Sequence, residues 1–293
     1  MGQHNVVVLL SSYNGEEYIK DQIDSVLNQK DVEVHLVIRD DGSVDNTIKI
    51  LKQYEEHPNC KVIYGKNIGA CASFMWLISN APKAEYYSFC DQDDIWDDDK
   101  LITAIKIINR GNYQLYHGLA GRVDKSLNKL HDKKYIPADS FGASLLASAT
   151  GCTMVYTNTL QCKLREYHPK YVSMHDAWVY RVCYALGFNV FYDHTSHMKY
   201  RQHDNNVSGG QMSLLQKVFM IKKNAGLKYK VAQSIKDCCW NDMSITNKMI
   251  LQTFIEYRYS IKAKYNIMHS GNYRQNSVKT SILNNLLLLF NLV

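Results

Sequence analysis

An acidic run follows a short, mostly apolar stretch in the first third of the chain. Tyr86 to Cys90 is typical of a buried strand, and Asp91, Asp93 and Asp94 come directly after it. Carboxylates at the carboxyl end of such a strand lie where open α/β sheets bind their ligands. Because neighbouring carboxylates repel one another, the pattern favours a divalent cation among them, of the kind that holds a diphosphate.

The same run also fits a second interpretation, in which its carboxylates cap a helix. Asp97 to Asp99 fit it well, since they would begin a helix that runs from Lys100 to about Asn109. Asp94 fits either interpretation, as support for the cation or as part of the helix entry. Asp91 and Asp93 are more than a cap requires, and we expect them at the cation.

Composition narrows the class of protein. The 293 residues are 46% apolar, enough for one large domain or one domain with an appendage. The 8 cysteines form no CxxC pair and several lie in apolar runs, which predicts reduced, buried thiols rather than disulfides or a zinc site. The sequence shows no signal peptide and no run of about 18 apolar residues, so we expect no membrane span.

Charge is distributed unevenly along the chain. Residues 211–293 contain 12 Lys and Arg against 3 Asp and Glu, whereas residues 1–210 contain 22 against 25. We therefore expect the ligand site in the first part and an anionic partner for the second. The predicted domains are residues 1–210 and a basic, helical C-terminal extension, residues 211–293.

Strand and helix patterns alternate four times with short connections. The predicted strands are Val6–Leu10, Val32–Ile38, Lys61–Tyr64 and Tyr86–Cys90, and the predicted helices are Glu16–Gln29, Ser43–Tyr54, Gly69–Asn80 and Lys100–Asn109. Further along, strands are predicted over Gln114–Ala120, Gly151–Thr157, Asn189–Asp193 and His197–His203, and a helix over Asp176–Leu186. The alternation predicts an α/β fold with a mostly parallel central sheet covered by helices on both faces.

Polar loops follow the first two predicted strands. Ser11 to Glu17 precedes a helix N-terminus, a suitable place for a nucleotide, but lacks the glycine spacing of dinucleotide-binding and phosphate-binding loops. Tyr13 could stack on a base there. In the loop from Arg39 to Asp45, Asp40 and Asp41 exceed what a cap needs, and a carboxylate could accept hydrogen bonds from a base or a ribose. Ordinary turn and capping chemistry is the alternative for both loops.

As a set, these motifs resemble family 2 glycosyltransferases, in particular their rhamnosyltransferase-like branch. The motifs are Ser-Tyr-Asn, Asp-Asp-Gly-Ser-x-Asp, Asn67-Ile-Gly69 and Asp-Gln-Asp-Asp, in this order. The resemblance covers about residues 5–210. It implies the GT-A nucleotide-sugar-binding fold, here with the helical extension, and an inverting sugar transfer that depends on Mg²⁺ or Mn²⁺.

The resemblance also implies roles for individual residues. Asp93 would be the principal metal ligand and Asp91 would contact the metal or the ribose. The residues implied along the nucleotide and diphosphate are Ser12, Tyr13, Glu17, Asp41, Lys66, Asn67, Asp91 and Gln92. Arg201 would contact diphosphate oxygens, and His203 would contact the diphosphate or be a third metal ligand. A structural role is the alternative for His203.

The sequence Met174-His-Asp-Ala-Trp178 opens a predicted helix. The resemblance makes Asp176 the general base, whereas a helix cap is the alternative. Trp178 either stacks on a sugar or fills the core. The segment from Thr150 to Val155 would border the acceptor site, or is simply a buried strand with a glycine kink.

The expected donor is dTDP-L-rhamnose, and UDP-hexoses and UDP-N-acetylhexosamines remain as alternatives. The expected acceptor is a lipid-linked oligosaccharide of a capsule, O-antigen or wall polysaccharide. Leu214–Lys223 and Ile282–Val293 suggest interfacial helices on the inner face of the cell membrane, or a surface that packs on the core or on a second copy in a homodimer. We expect no nucleic-acid partner.

Two rival classes make different demands on the sequence. A sugar nucleotidyltransferase should carry a glycine-rich, basic loop after the first strand, where Ser-Ser-Tyr-Asn stands instead. A non-catalytic nucleotide-sugar-binding protein would not need metal carboxylates and a base together, and candidates for both are present.

Overall fold

The chain forms two compact units in this structure, a computed structural model. It describes residues 3–132, 135–203, 225–273 and 278–292. The first unit comprises residues 1–133, 150–166 and 189–205, and the second comprises residues 134–149, 167–188 and 206–293. The predicted domain boundary after residue 210 lies outside the described residues and stays a prediction, although the second unit also includes two segments from before it.

The first unit contains two sheets. Their strands are β1 (His4–Ser12), β2 (Val32–Asp40), β3 (Cys60–Tyr64), β4 (Tyr86–Cys90), β5 (Ile95–Trp96), β6 (Leu115–Gly118), β7 (Gly121–Val123), β8 (Val155–Thr157), β9 (Val190–Asp193) and β10 (Met198–Arg201). The larger sheet has the order β3-β2-β1-β4-β8-β6-β9, and the smaller has the order β5-β10-β7.

The larger sheet is mostly parallel, as predicted. Strands β3, β2, β1 and β4 are parallel neighbours, and β6 is parallel to β9. Only β8 runs antiparallel, between β4 and β6. Ser12 pairs with Asp40 and Leu10 with Cys90, so that β1, β2 and β4 end along the same edge. This register places the polar loops that follow them side by side.

Five helices accompany the strands in the described part of the first unit: α1 (Ile19–Leu27), α2 (Thr47–Leu51), α3 (Ala70–Asn80), α4 (Lys100–Gly111) and α6 (Asn158–Glu166). Alternate side chains of β1 enter opposite layers of the core. Val8 and Leu10 belong to the cluster that includes Ile23 of α1 and Leu101 of α4. A second layer forms where Phe74 of α3 meets Phe89 of β4, with ring centroids 5.7 Å apart.

Two predicted elements begin four residues later in the structure than expected, and the first helix begins three residues later, at Ile19. The strand predicted over Gly151–Thr157 starts only at Val155, because a 3₁₀ turn from Gly151 to Thr153 precedes it, with the amide of Met154 bonded to the carbonyl of Gly151. The helix predicted from Ser43 starts at Thr47, because side chains occupy the amides of residues 42–44. Local hydrogen bonds compete with regular structure in both places.

The second unit is helical in its described part. Its helices are α5 (Phe141–Leu146), α7 (His175–Ala185), α8 (Leu227–Cys239), α9 (Ile245–Glu256), α10 (Ile261–His269) and α11 (Val278–Leu289). Serine side chains cap three of them, since Ser140, Ser244 and Ser260 each accept from the amide three residues on. The predicted amphipathic segment Leu214–Lys223 lies outside the described residues. Within them, every helix is too short or too polar to cross a bilayer.

Candidate active site

The loop after β1 and the loop after β4 are joined by the side chain of Gln92. Its amide group accepts from the Tyr13 amide at 2.8 Å and donates to the Tyr13 carbonyl at 3.0 Å. A Cβ on Gly15 would meet the side-chain amide of Gln92, which would have to shift. Gln92 therefore fixes the position of the acidic loop, which we define as residues 91–94, against the first loop.

Ser12 lies at the base of the same edge and is 1% exposed. Its hydroxyl donates to Asp40 Oδ1 at 3.1 Å, and Asp40 Oδ2 accepts from the Ser43 amide at 3.0 Å. The Ser12 side chain thus helps to order the second loop in this structure. The predicted contact of Ser12 with a nucleotide stays a prediction.

Asp41 is also buried, with 2% of its surface exposed. Its carboxylate pairs with Arg39 and accepts from the amides of Ile68 at 3.0 Å and Gly69 at 2.8 Å. It therefore stabilises the entry to α3, where helix amides lack partners within the helix. The predicted contact with a base stays a prediction.

Four of the predicted donor-site residues are exposed around this edge. Tyr13 is 46% exposed, and Glu17, Lys66 and Asn67 also face solvent. An aromatic ring, a carboxylate, an ammonium group and an amide are thus accessible beside the ordered loops. Such groups can stack on a base or hydrogen-bond to a ribose or a diphosphate.

The strand β10 brings Arg201 and His203 to the acidic loop. His203 Nε2 lies 2.7 Å from Asp93 Oδ2. Arg201, which is 4% exposed, donates from Nε to the Asp93 carbonyl at 2.9 Å and from its amide to Asp94 Oδ1 at 3.1 Å. The resemblance implied Asp93 as the principal metal ligand and His203 as a contact of the diphosphate or a third metal ligand. The structure brings this pair together across 110 residues of chain.

Tyr18 is a residue at this site that the sequence did not single out. Its ring stacks on the His203 imidazole with centroids 5.2 Å apart, and the Arg201 guanidinium carbon lies 4.5 Å from the ring centre. The Tyr18 hydroxyl donates to Glu17 at 2.6 Å. Burial and this hydrogen bond raise the pKa of Tyr18 to about 12, so the phenol stays protonated.

A second set of possible metal ligands lies deeper. In the described part of the chain, the ligand atoms of Asp91, Asp94 and Cys152 lie within 4.8 Å of one another. Asp94 is fully buried, and burial, followed by the charges of Asp93 and Asp91, raises the pKa of its carboxyl well above the usual range. Burial likewise raises the pKa of the Cys152 thiol.

The buried ammonium of Lys100 argues against a cation at this deeper set. Its Nζ lies 3.4 Å from the centre of the Trp96 ring, and the charge of Asp94 acts on it. Burial lowers the pKa of Lys100 to about 8. A nearby ammonium disfavours a further cation at this deeper set, whereas Asp93 and His203 bring a carboxylate and an imidazole within 2.7 Å of each other. The pair Asp93 and His203 therefore suits a metal better than the deeper set does. Asp91 belongs to that deeper set, and its predicted place beside Asp93 at the metal stays a prediction.

Asp97 to Asp99 lie directly before a helix, where the helix-cap interpretation places them, but the residue next to the helix does not cap it with its side chain. The helix α4 begins at Lys100, as predicted, and Asp99 precedes it, but its side chain makes no capping hydrogen bond. Asp98 instead pairs with Lys30. These three exposed carboxylates lie outside the metal-binding candidates.

The predicted base, Asp176, belongs to the second unit. It lies in the first turn of α7, and its carboxylate accepts from the Ala177 amide at 2.6 Å. The charge of Asp176 acts on Arg181, whose guanidinium donates to the carbonyls of Ser144 and Ala147 at the end of α5. Trp178 is 1% exposed, which supports its interpretation as a core residue.

The fold and the acidic loop together define a nucleotide-sugar transferase of the GT-A type. The sequence profile described as "Glycosyl transferase family 2" matches residues 7–182, and the chain belongs to this family. It is a glycosyltransferase that acts on a nucleotide sugar.

Known proteins similar to the chain agree with this class. The dTDP-rhamnosyl transferase RfbG of Shigella flexneri is 29% identical over 70% of this chain and 75% of its own length. The S. aureus TarS 1–349 structure in complex with UDP-GlcNAc has a TM-score of 0.63 at 18% identity, over 99% of this chain and 82% of its own. The mannosyltransferase PcManGT from Pyrobaculum calidifontis, in complex with GDP-Man and Mn²⁺, has a TM-score of 0.57 at 14% identity, over 99% and 81%.

Proposed function

We propose that this protein is a metal-dependent, inverting glycosyltransferase that extends a lipid-linked bacterial surface polysaccharide. The observation that carries the proposal is the contact between Asp93 and His203 at the carboxyl end of β4. An imidazole and a carboxylate from distant segments converge there, beside loops whose exposed side chains suit a nucleotide.

The donor would lie along the edge of the larger sheet, at the loops that follow β1, β2 and β3. Tyr13 and Glu17 would contact the nucleoside, and Lys66 and Asn67 would follow the nucleotide and the diphosphate. Ser12, Asp41 and Gln92 would support the pocket from below, in keeping with their burial or their bonds to neighbouring loops.

The metal site would consist of Asp93, Asp91 and His203. A bound Mg²⁺ or Mn²⁺ would stabilise the negative charge that develops on the leaving diphosphate. Arg201 would hold the acidic loop in place through the Asp93 carbonyl and the Asp94 carboxylate, and would bring positive charge near the diphosphate.

Asp176 would act as the general base. Its carboxylate would take the proton from an acceptor hydroxyl while that oxygen attacks the anomeric carbon from the face opposite the nucleoside diphosphate. The bond from the anomeric carbon to the diphosphate oxygen would break in the same displacement, which inverts the configuration. The charge of Asp176 acts on Arg181, which is buried on the same helix.

Our first choice of donor is dTDP-L-rhamnose. The motif resemblance and the similarity to the dTDP-rhamnosyl transferase support it. The alternative is a UDP-hexose or a UDP-N-acetylhexosamine, which the fold similarity to a UDP-GlcNAc complex supports. A sugar nucleotidyltransferase or a non-catalytic binding protein has no comparable support.

The helices of the second unit suggest a place for the protein at the inner face of the cell membrane. Apolar side chains such as Ile245, Tyr259, Ile261 and Phe290 are 71% to 88% exposed. Lys262 and Lys264 lie on the same helix as Ile261, and cations beside apolar side chains suit an anionic bilayer. Co-sedimentation with phosphatidylglycerol vesicles, but not with phosphatidylcholine vesicles, is expected. Light scattering that finds a dimer and no vesicle binding would favour a homodimer surface instead.

The donor assignment is tested by the release of nucleoside diphosphate. Purified protein is incubated with dTDP-rhamnose, UDP-glucose, UDP-galactose and UDP-GlcNAc, each with Mn²⁺ and with EDTA. We expect slow hydrolysis of one donor with Mn²⁺ and none with EDTA. Equal release with and without EDTA would overturn the metal-dependent mechanism.

A further inference from the structure

Tyr18 occupies a central position beside the proposed metal site. It precedes α1 and half-buries its ring between two residues that come more than 180 positions later in the chain. The His203 imidazole stacks on it at an interplanar angle of 27°, and the Arg201 guanidinium lies within cation–π distance of it. One aromatic ring therefore contacts both residues that grip the acidic loop.

The stacking restricts how His203 can turn. Rotation of the imidazole ring changes which of its two nitrogens faces a neighbouring group. In this structure Nε2 of His203 faces Asp93, at 2.7 Å. A flat ring packed against its face limits that rotation. The Tyr18 hydroxyl in turn donates to Glu17, so the tyrosine ring is held at its far end as well.

We propose that Tyr18 is a positioning residue for the metal site. It would hold His203 and Arg201 in the orientation in which Nε2 of His203 and the carboxylate of Asp93 converge on one divalent cation. The inference rests on the proposed function, because it assumes that this pair binds the metal. Residues that orient metal ligands commonly change metal affinity by about 10-fold or more when they are replaced.

The experiment measures Mn²⁺ affinity of the full chain with Mn²⁺ alone, from the electron paramagnetic resonance signal of the free ion. Tyr18→Leu, which removes the ring, should weaken binding by about 10-fold. Tyr18→Phe, which keeps the ring and loses only the hydroxyl, should stay within about 2-fold of the unsubstituted protein.

Tyr64→Leu is the matched control. Tyr64 is also a partly exposed tyrosine of the first unit, and its hydroxyl also donates to a glutamate, Glu55, at 2.6 Å. The described contacts place it on neither Arg201 nor His203. Its replacement should leave Mn²⁺ affinity unchanged, which separates the loss of a stacked ring from the loss of any surface tyrosine.

A double-mutant cycle distinguishes positioning from general loss of structure. If Tyr18 acts through His203, Tyr18→Leu should weaken Mn²⁺ binding by less than about 2-fold once His203 is already alanine. An equal loss in both backgrounds, or no loss in Tyr18→Leu alone, would overturn the inference. If the unsubstituted protein binds no Mn²⁺, or Asp93→Ala binds it equally well, the proposed metal site itself fails.

Discussion

The acidic loop after β4 and the helix that carries Asp176 hold their carboxylates in opposite ways. The acidic loop is fixed by partners far away in the sequence, since Gln92 bonds to Tyr13, and Asp93 contacts His203. Asp176 is fixed locally, in the first turn of α7 and five residues before Arg181. The proposed donor and metal site is thus assembled from several segments, whereas the proposed base stands in the first turn of one helix.

The contrast explains how much could be predicted from the sequence. Strand β4 and the start of α4 were predicted at the correct residues because hydrophobic patterns are local. The mostly parallel sheet followed from the alternation of elements. The resemblance implied a metal role for Asp93 and a metal or diphosphate role for His203, but no contact between them could be inferred from the sequence alone. Tyr18 was missed, because no local pattern reveals that a tyrosine before α1 stacks on a histidine after β10.

Burial was the other feature that local patterns could not supply. Asp41 looked like an accessible carboxylate in a polar loop, yet it is 2% exposed because Arg39 and two amides surround it. Lys100 looked like an ordinary first residue of a helix, yet it is 2% exposed and packs over Trp96. Both depend on segments that meet only in the folded chain.

The largest expected effect comes from the acidic loop. Asp93→Ala should reduce the turnover of the donor by about 10⁴-fold, because a bound metal supplies several kcal/mol of charge stabilisation in such reactions. The measurement is the release of nucleoside diphosphate with Mn²⁺. Asp98→Ala, an exposed carboxylate of the same acidic run, is the control and should retain activity. Equal losses in the two variants would contradict the assignment of the metal ligand.

The locally held carboxylate should affect a different step. Asp176→Asn should slow transfer to an acceptor by roughly 10³-fold, within the range for loss of a general base. Donor affinity, measured by calorimetry, should be unchanged, in contrast to Asp93→Ala. Asp237→Asn, at a surface ion pair of the same unit, serves as the control. Near-normal transfer by Asp176→Asn would remove the base from the mechanism.

Each unit also contains a buried histidine. Both histidines should make the free energy of unfolding decrease as the pH falls. Burial lowers the pKa of His117 in β6 and of His175 in α7 to about 3. Above about pH 6.5 the rings are neutral in both the folded and the unfolded chain, and the folded state keeps its full stability. As the pH falls towards 3, only the unfolded chain binds protons on these rings, so the free energy of unfolding decreases. Each histidine should lower the free energy of unfolding at pH 5 by about 2 kcal/mol relative to neutral pH.

The measurement for the histidines is urea unfolding at pH 7.5 and pH 5. His117→Phe and His175→Phe should each make the difference between the two pH values smaller. The exposed His168 provides the comparison, because His168→Gln should leave the difference unchanged. A pH dependence that survives in both phenylalanine variants would show that other groups cause it.

The smallest expected effect concerns the link between the first two loops of the site. Gly15→Ala places a methyl group against Gln92 and should disturb its pair of hydrogen bonds with Tyr13. We expect donor affinity to fall by about 5-fold, the equivalent of one lost hydrogen bond. Gly271→Ala, where a Cβ meets no heavy atom within 4 Å, is the control. Unchanged donor affinity in Gly15→Ala would show that the Gln92 link does not shape the pocket.

The central claim is that Asp93 anchors a cation-dependent site for a nucleotide sugar, and ligand-induced stabilisation tests it most directly. Melting temperatures are measured with dTDP-rhamnose and the UDP-sugars, each with Mn²⁺ and with EDTA, for the unsubstituted protein and Asp93→Ala. At 100 times its dissociation constant, a bound donor should stabilise the folded state by about 2.7 kcal/mol. We predict such a shift for at least one nucleotide sugar with Mn²⁺, and its loss with EDTA or in Asp93→Ala. A panel without any shift, or a shift that is equal in all four conditions, would contradict the account.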